Sequence, residues 1–280
     1  MEWYGASGSL KDRIYLYMFD RAERTGELKP GMTVLECSTG NAGIACACIS
    51  AVKGYRCVIV MPDGMSEERK KLIRAYGAEL VQTPGAESDV DVSLQKLAEI
   101  RRADPDRYWI PAQFDNPANV DAHYETTGPE ILRDLPDIDV FVAGLGTGGT
   151  LTGVGHFLKE KKPDVKIVAS VPHPGDLVQG LRALEDGFIP PILDESVLDG
   201  RIVVDSNSSF AMTKELMEKE AIFAGISSGA ALKVALRVAE RLDKGNVVAL
   251  LADGGWKYLS TELWSKDYGE IEDVEGKIWW

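Results

Sequence analysis

The chain is short of the residues that metal and thiol chemistry draw on. Its 280 residues include only three histidines and four cysteines. The cysteines (Cys37, Cys46, Cys48 and Cys57) share one apolar, small-residue stretch that no histidine approaches in sequence. A structural zinc site needs paired ligands at short, regular spacing, which this cluster lacks. Buried reduced thiols are therefore expected, and no metal site. Basic charge is also scarce: Lys+Arg 31 stand against Asp+Glu 44, a net charge of −13. Such a surface repels phosphate backbones and anionic lipid, so neither nucleic acid nor a membrane surface is an expected partner. No apolar run approaches the roughly 18 residues needed to cross a bilayer. No basic stretch followed by an apolar core opens the chain, so a cytoplasmic location is expected. With 45% hydrophobic and 27% charged residues the composition is that of an ordinary globular protein.

What is present is an alternation. Short apolar runs at 33–37, 57–61, 79–82, 139–143, 166–171, 201–204 and 247–251 read as strands. Helical patterns lie between them at 41–52, from 66 onward, and at 89–102, 150–161, 208–220 and 229–242. Near-continuous apolar strands separated by helices predict parallel sheets covered on both faces. The fold class is α/β. The turn-rich Asp115-Asn116-Pro117-Ala118-Asn119 marks a boundary, giving lobes at 1–117 and 118–280.

Three glycine-rich turns fall where strands hand over to helices, the place where open α/β sheets bind ligands. Ser38-Thr39-Gly40-Asn41-Ala42-Gly43 offers hydroxyls and helix-start amides to a carboxylate or phosphate; it also reads as a plainly capped helix. Gly144-Leu145-Gly146-Thr147-Gly148-Gly149-Thr150 lets backbone amides approach an anion and reads as a phosphate nest. It lacks the downstream acidic residue of a dinucleotide site. In Gly225-Ile226-Ser227-Ser228-Gly229-Ala230 a serine N-cap is the simpler reading. Near the start, Ser7-Gly8-Ser9-Leu10-Lys11-Asp12-Arg13 puts a lysine in the first turn of a helix. The positive helix end disfavours a cation there and favours a free amine able to form an imine, although a solvated surface lysine is the commoner case.

Taken in order, these four motifs resemble the pyridoxal-phosphate enzymes of fold type II, and within them the cysteine synthase and cystathionine β-synthase family. Met61-Pro62, Gln113-Phe114-Asp115-Asn116-Pro117, Thr126-Thr127-Gly128-Pro129-Glu130 and Lys257-Tyr258-Leu259-Ser260-Thr261 extend the likeness toward the C-terminus. The resemblance implies a two-lobed, tryptophan synthase β-like fold. It implies that Lys11 carries pyridoxal 5′-phosphate as an imine and removes the substrate α-proton, and that Asn41 bonds the cofactor 3′ oxygen. Gly146, Thr147, Gly148, Gly149 and Thr150 would cradle its phosphate, and Ser227 would face the pyridine nitrogen. Ser38, Thr39, Gly40 and Gln113 would hold the substrate carboxylate. The implied activity is cysteine synthesis from an activated serine and a sulfur donor, by a homodimer, with a sulfur-carrier protein among the candidate donors. A cystathionine β-synthase-like or serine/threonine dehydratase activity, or an inactive binding protein on the same fold, are the alternatives.

Three departures from the family pattern stand out. The segment ahead of Lys11 is shorter than in family members, so the chain reads as N-terminally shortened. Gly5-Ala6 replaces Asn-Pro, and Ser38-Thr39 reverses the usual order of hydroxyls. Arg182 aligns with the arginine that meets the substrate phosphate in the O-phosphoserine-using branch. Its plainer role is a surface pair with Glu185 or Asp186. The tail at 274–280 also resembles that branch, where it can reach the active site.

Overall fold

The structure, a computed structural model, describes residues 1–85, 90–176, 178–265 and 275–278. By its contacts the chain divides into two units, one of residues 3–112 and 257–261, the other of 1–2, 113–256 and 262–280. The change-over lies between Ala112 and Gln113 rather than after residue 117, and Ala112 holds the left-handed φ of 53° that a non-glycine residue rarely adopts.

The first unit carries a parallel sheet in the order β3-β2-β1-β4, from β1 (Thr33–Cys37), β2 (Arg56–Pro62), β3 (Glu79–Thr83) and β4 (Tyr108–Trp109). In β1 and β2 all residues but Arg56 are buried, which is why both read as continuous apolar runs rather than alternating ones. Side chains still alternate between faces. Leu35, Val58 and Val60 meet Leu97 and Ile100 of α4 (Val90–Ala103) on one face. On the other, Ile59 lies so close to α2 (Asn41–Lys53) that a Cβ on Gly43 would sit 3.1 Å from its methyl. Beside α2 packs α1 (Lys11–Thr25), burying Ile14, Tyr15, Met18, Phe19 and Ala22. α3 (Glu67–Ala75) joins β2 to β3. The four cysteines are free and buried, and burial pushes the Cys37 thiol up to about 12.

The second unit carries a five-stranded sheet in the order β8-β5-β6-β7-β9. Its strands are β5 (Val140–Gly144), β6 (Lys166–Pro172), β7 (Gly200–Val204), β8 (Val247–Ala249) and β9 (Glu275–Ile278). All pairings are parallel except β7 with β9. Thus 275–278, expected from the resemblance to belong to a tail able to reach the active site, is here an edge strand; residues 274, 279 and 280 lie outside those described. Between β4 and β5 run α5 (Ala118–Ala122), a π-helical turn (His123–Thr127) and α6 (Gly128–Asp134). Then come α7 (Gly149–Lys161), α8 (Ser206–Glu220) and α9 (Ile226–Ala239), with α7 and α9 packed on the sheet.

Phe19, fully buried with its ring centroid 4.9 Å from that of Trp109, fastens α1 to the edge of the first sheet. Phe19→Ala is expected to cost about 3–5 kcal/mol, read as a lower midpoint in denaturant unfolding.

Candidate active site

In the first unit, α1 opens at Lys11 with Leu10 as an N-cap that makes no side-chain bond. The turn before it is held otherwise: the Ser7 amide donates to Asp12 Oδ2 at 2.9 Å. A Cβ on Gly5 would come 2.3 Å from that same oxygen, so only glycine leaves the carboxylate its place. This accounts for Gly5 at a position where the sequence departs from the family pattern.

Loss of hydration takes the Lys11 pKa from 10.5 down to about 8, against the upward pull of Glu36. The direction is the one expected from sequence; the principal cause is burial rather than the helix end. Glu36 is buried within β1, and burial raises its own pKa from 4.5 to about 7. Its carboxylate accepts from the Tyr15 hydroxyl at 2.8 Å and from the Cys37 amide at 2.9 Å.

The loop after β1 is closed by Ser38, whose Oγ accepts from the amides of Gly40 at 3.1 Å and Gly43 at 2.8 Å. Ser38 therefore ties the loop to the first turn of α2, whose N-cap is Gly40, while Thr39 is only partly buried. Arg69, buried, donates to the Thr39 carbonyl at 3.2 Å and lies 5.0 Å from the Tyr258 ring. Asn41 starts α2, and its Oδ1 accepts from Lys257 Nζ at 2.8 Å.

In the second unit, β5 leads into Gly146–Thr150. Gly148 is left-handed at φ 85°, and the first intrahelical amide bond of α7 is Thr152 to Gly148 at 2.9 Å. The amides of Gly149, Thr150 and Leu151 precede it and have no intrahelical acceptor. A Cβ would come 2.7 Å from the Gly180 carbonyl at Gly146, and 2.1 Å from Asn119 Oδ1 at Gly149. Two residues that sequence reasoning left unassigned brace this loop. Asn119 Nδ2 donates to the Gln113 carbonyl at 2.8 Å and to Thr147 Oγ1 at 3.1 Å. His123 lies buried between Thr127 Oγ1 at 2.9 Å and Thr150 Oγ1 at 3.1 Å. The only hint of either was polarity in the stretch after Asn116-Pro117. Gln113 itself is buried, with Oε1 unpartnered among the described residues.

Neither serine at the start of α9 caps it. Gly225 is the N-cap, Ser228 Oγ accepts from the Ala252 amide at 3.1 Å, and Ser227 is partly exposed. The Arg182 guanidinium lies 4.8 Å from the centre of the Phe114 ring and 5.2 Å from that of Phe188. The ion pair with Glu185 is not made: Glu185 bonds Arg201 instead. So the structure gathers Lys11, Ser38, Thr39, Gly40 and Asn41 in one unit, and Gln113, Gly146–Thr150, Arg182 and Ser227 in the other. Among the described residues, no group of three or more His, Cys, Asp or Glu side chains is placed to hold a metal.

Comparison with known proteins gives a consistent picture. The family model described as pyridoxal-phosphate dependent enzyme matches residues 1–253. A cysteine synthase of Staphylococcus aureus is 44% identical over 95% of this chain and 88% of its own length. The solved structure of an O-ureido-L-serine synthase is 41% identical, with a TM-score of 0.86 over 95% of this chain and 86% of that one. The cysteine synthase of Entamoeba histolytica is 34% identical, with a TM-score of 0.88 over 96% and 82%.

The raised pKa of Glu36 sets a testable sign. Between about pH 4.5 and 7 the unfolded chain has lost this proton and the folded chain has kept it. Its contribution to stability therefore falls as pH rises through that window. Melting temperatures measured across the window should decline less in Glu36→Gln than in the wild type; parallel declines would show that Glu36 titrates normally.

Proposed function

The chain belongs to the family of pyridoxal-phosphate dependent enzymes, and from that premise we propose that it makes L-cysteine by replacing the β-substituent of an activated serine with sulfur. The observation that carries the reading is that the chain holds both a desolvated lysine at the head of α1 and a glycine-rich turn open to an anion at the head of α7. These residues fit pyridoxal phosphate. Gly146 and Gly149 leave no room for a Cβ, so the chain there is bare backbone able to approach a phosphate, and Thr147 and Thr150 are braced by Asn119 and His123. When bound, the cofactor supplies the electron sink that makes an amino-acid α-proton removable and the β-substituent able to leave.

The protein's own groups do the rest. Lys11, with a pKa of about 8, is neutral for a useful fraction of the time near neutral pH, so it can attack a carbonyl carbon and accept a proton. Asn41 would meet the cofactor 3′ oxygen. Ser227 would meet the ring nitrogen with a neutral hydroxyl, leaving it largely unprotonated and suiting elimination over deeper carbanion chemistry. Thr39, Gly40 and Gln113 would hold the substrate carboxylate. Ser38 supports that loop from beneath, since its oxygen already serves two amides.

Arg182 supports O-phosphoserine as the activated serine. Its guanidinium lies against two aromatic rings rather than on Glu185, and it would give a dianionic phosphate a planar fork that a neutral acetyl ester cannot use. The same reading takes the chain as a cytoplasmic homodimer acting on small molecules, with sulfide or a sulfur-carrier protein as donor. The resemblance and the strongly acidic charge support it.

Cofactor attachment and turnover test this directly. Lys11→Ala should fold and bind pyridoxal phosphate without a borohydride-reducible bond; a reducible bond in that variant would remove Lys11 from its role. With sulfide as acceptor, cysteine should form from O-phosphoserine faster than from O-acetylserine or serine. Arg182→Ala should abolish that preference at a cost of roughly 2–4 kcal/mol in transition-state binding. An unchanged ratio of kcat/KM for the two esters would show that Arg182 does not read the leaving group.

A further inference from the structure

Lys257 is fully buried, and no part of the proposed chemistry uses it. It begins the short segment 257–261, which joins the first unit although the residues before and after belong to the second. The segment is fastened at several points. Ser66 Oγ donates to the Lys257 carbonyl at 3.1 Å, and the Ser260 amide and hydroxyl donate to the two Glu68 oxygens at 2.8 and 2.6 Å. The Lys257 ammonium donates to the Gly8 carbonyl at 2.9 Å and to Asn41 Oδ1 at 2.8 Å. Those acceptors lie on the loop that leads into Lys11 and on the first residue of α2.

We infer that Lys257 is a positioning residue that fixes which end of the Asn41 amide is presented to the cofactor. An asparagine amide has an acceptor end and a donor end, and nothing intrinsic to the side chain chooses between them. An ammonium has only donors. Turning the amide over would set Nδ2 against Nζ, donor against donor, beside a lysine that is itself fully buried. Asn41 Oδ1 therefore belongs to Lys257, and Nδ2 is the end directed away from it. A donor is what the 3′ oxygen of pyridoxal phosphate requires. Through Gly8 the same ammonium also ties down the turn before Lys11, so one buried charge aligns the two loops that meet the ring. The inference rests on Asn41 as a cofactor contact.

The test is a double-mutant cycle on cofactor binding to the full chain, with pyridoxal phosphate titrated into the apoprotein. Asn41→Ala and Lys257→Met should each weaken binding about tenfold or more, the range for losing a charge-assisted hydrogen bond. The double variant should bind no more weakly than the weaker single one, and Lys257→Arg should recover most of the loss. Independent, multiplying losses, or no recovery with arginine, would overturn the inference while leaving Asn41 in place. Unchanged binding in Asn41→Ala would overturn the reading of Asn41, and the inference with it. Asn41→Asp covers the case in which Lys257→Met does not fold. A carboxylate satisfies the ammonium, so the apoprotein should melt close to wild type while its affinity for pyridoxal phosphate falls about tenfold or more. An apoprotein melt lowered as far as that of Asn41→Leu would show that Lys257 does not face position 41.

Discussion

A carboxylate inside a fully buried strand is the constraint from which the first unit is arranged. Glu36 lies among Thr33, Val34, Leu35 and Cys37, all buried, and cannot stay there without partners. The Cys37 amide is one; the Tyr15 hydroxyl must be brought from another element. Tyr15 reaches it only if α1 lies across that face of the sheet, and Lys11, four residues earlier on the same helix face, is then carried to the same neighbourhood. The carboxylate and the amine each shift the other. Glu36 pulls the Lys11 pKa up while burial drives it down, and the balance near 8 leaves an amine that is both nucleophilic and protonatable. The placing of Lys11 is thus a by-product of satisfying one buried acid.

The second unit solves a different problem. A backbone as rich in glycine as that of residues 144–149 has little of its own to hold its shape. Here rigidity is supplied from outside: Asn119 links Thr147 to the Gln113 carbonyl, and His123 links Thr150 to Thr127. Both come from one short stretch after β4, where a helix passes through a π-helical turn, a feature often found at functional positions. Gly153, whose Cβ would come 2.4 Å from the Val120 carbonyl, lets α7 press against that stretch.

Most of the sheet elements could be read from the amino-acid sequence, because strands buried on both faces are written as unbroken apolar runs. The order of strands was less legible. Two-residue β4 is too short for a pattern, and β9 follows a charged stretch and pairs with β7 from far away in the chain. The site motifs were legible where backbone chemistry demands particular residues, as at Gly146–Thr150. Side chains that act through another group were not. The hydroxyl of Ser38 also holds the loop after β1, while Asn119 stood in a turn-rich stretch and His123 was unassigned, and both brace a loop. Lys257 sat in a recognisable stretch, yet a lone lysine is nearly always solvated, and only the fold shows this one buried.

The return of residues 257–261 to the first unit has a consequence for the order of folding. The bond from Lys257 to Gly8 spans 249 residues. During synthesis the sheet of β1 to β4 can assemble early, but the loops at Gly8 and Asn41 lack their shared ammonium until nearly the whole chain has emerged. Long-range closure of this kind is slow, because the entropy of ordering the intervening chain must be met before the contact forms. The first unit therefore reaches its finished form last, although its residues are made first. A truncated product ending before residue 257 would hold a sheet, a buried Glu36 and an Asn41 without its bond to Lys257. The last tie on the Gly8 and Asn41 loops waits for residue 257 to be made.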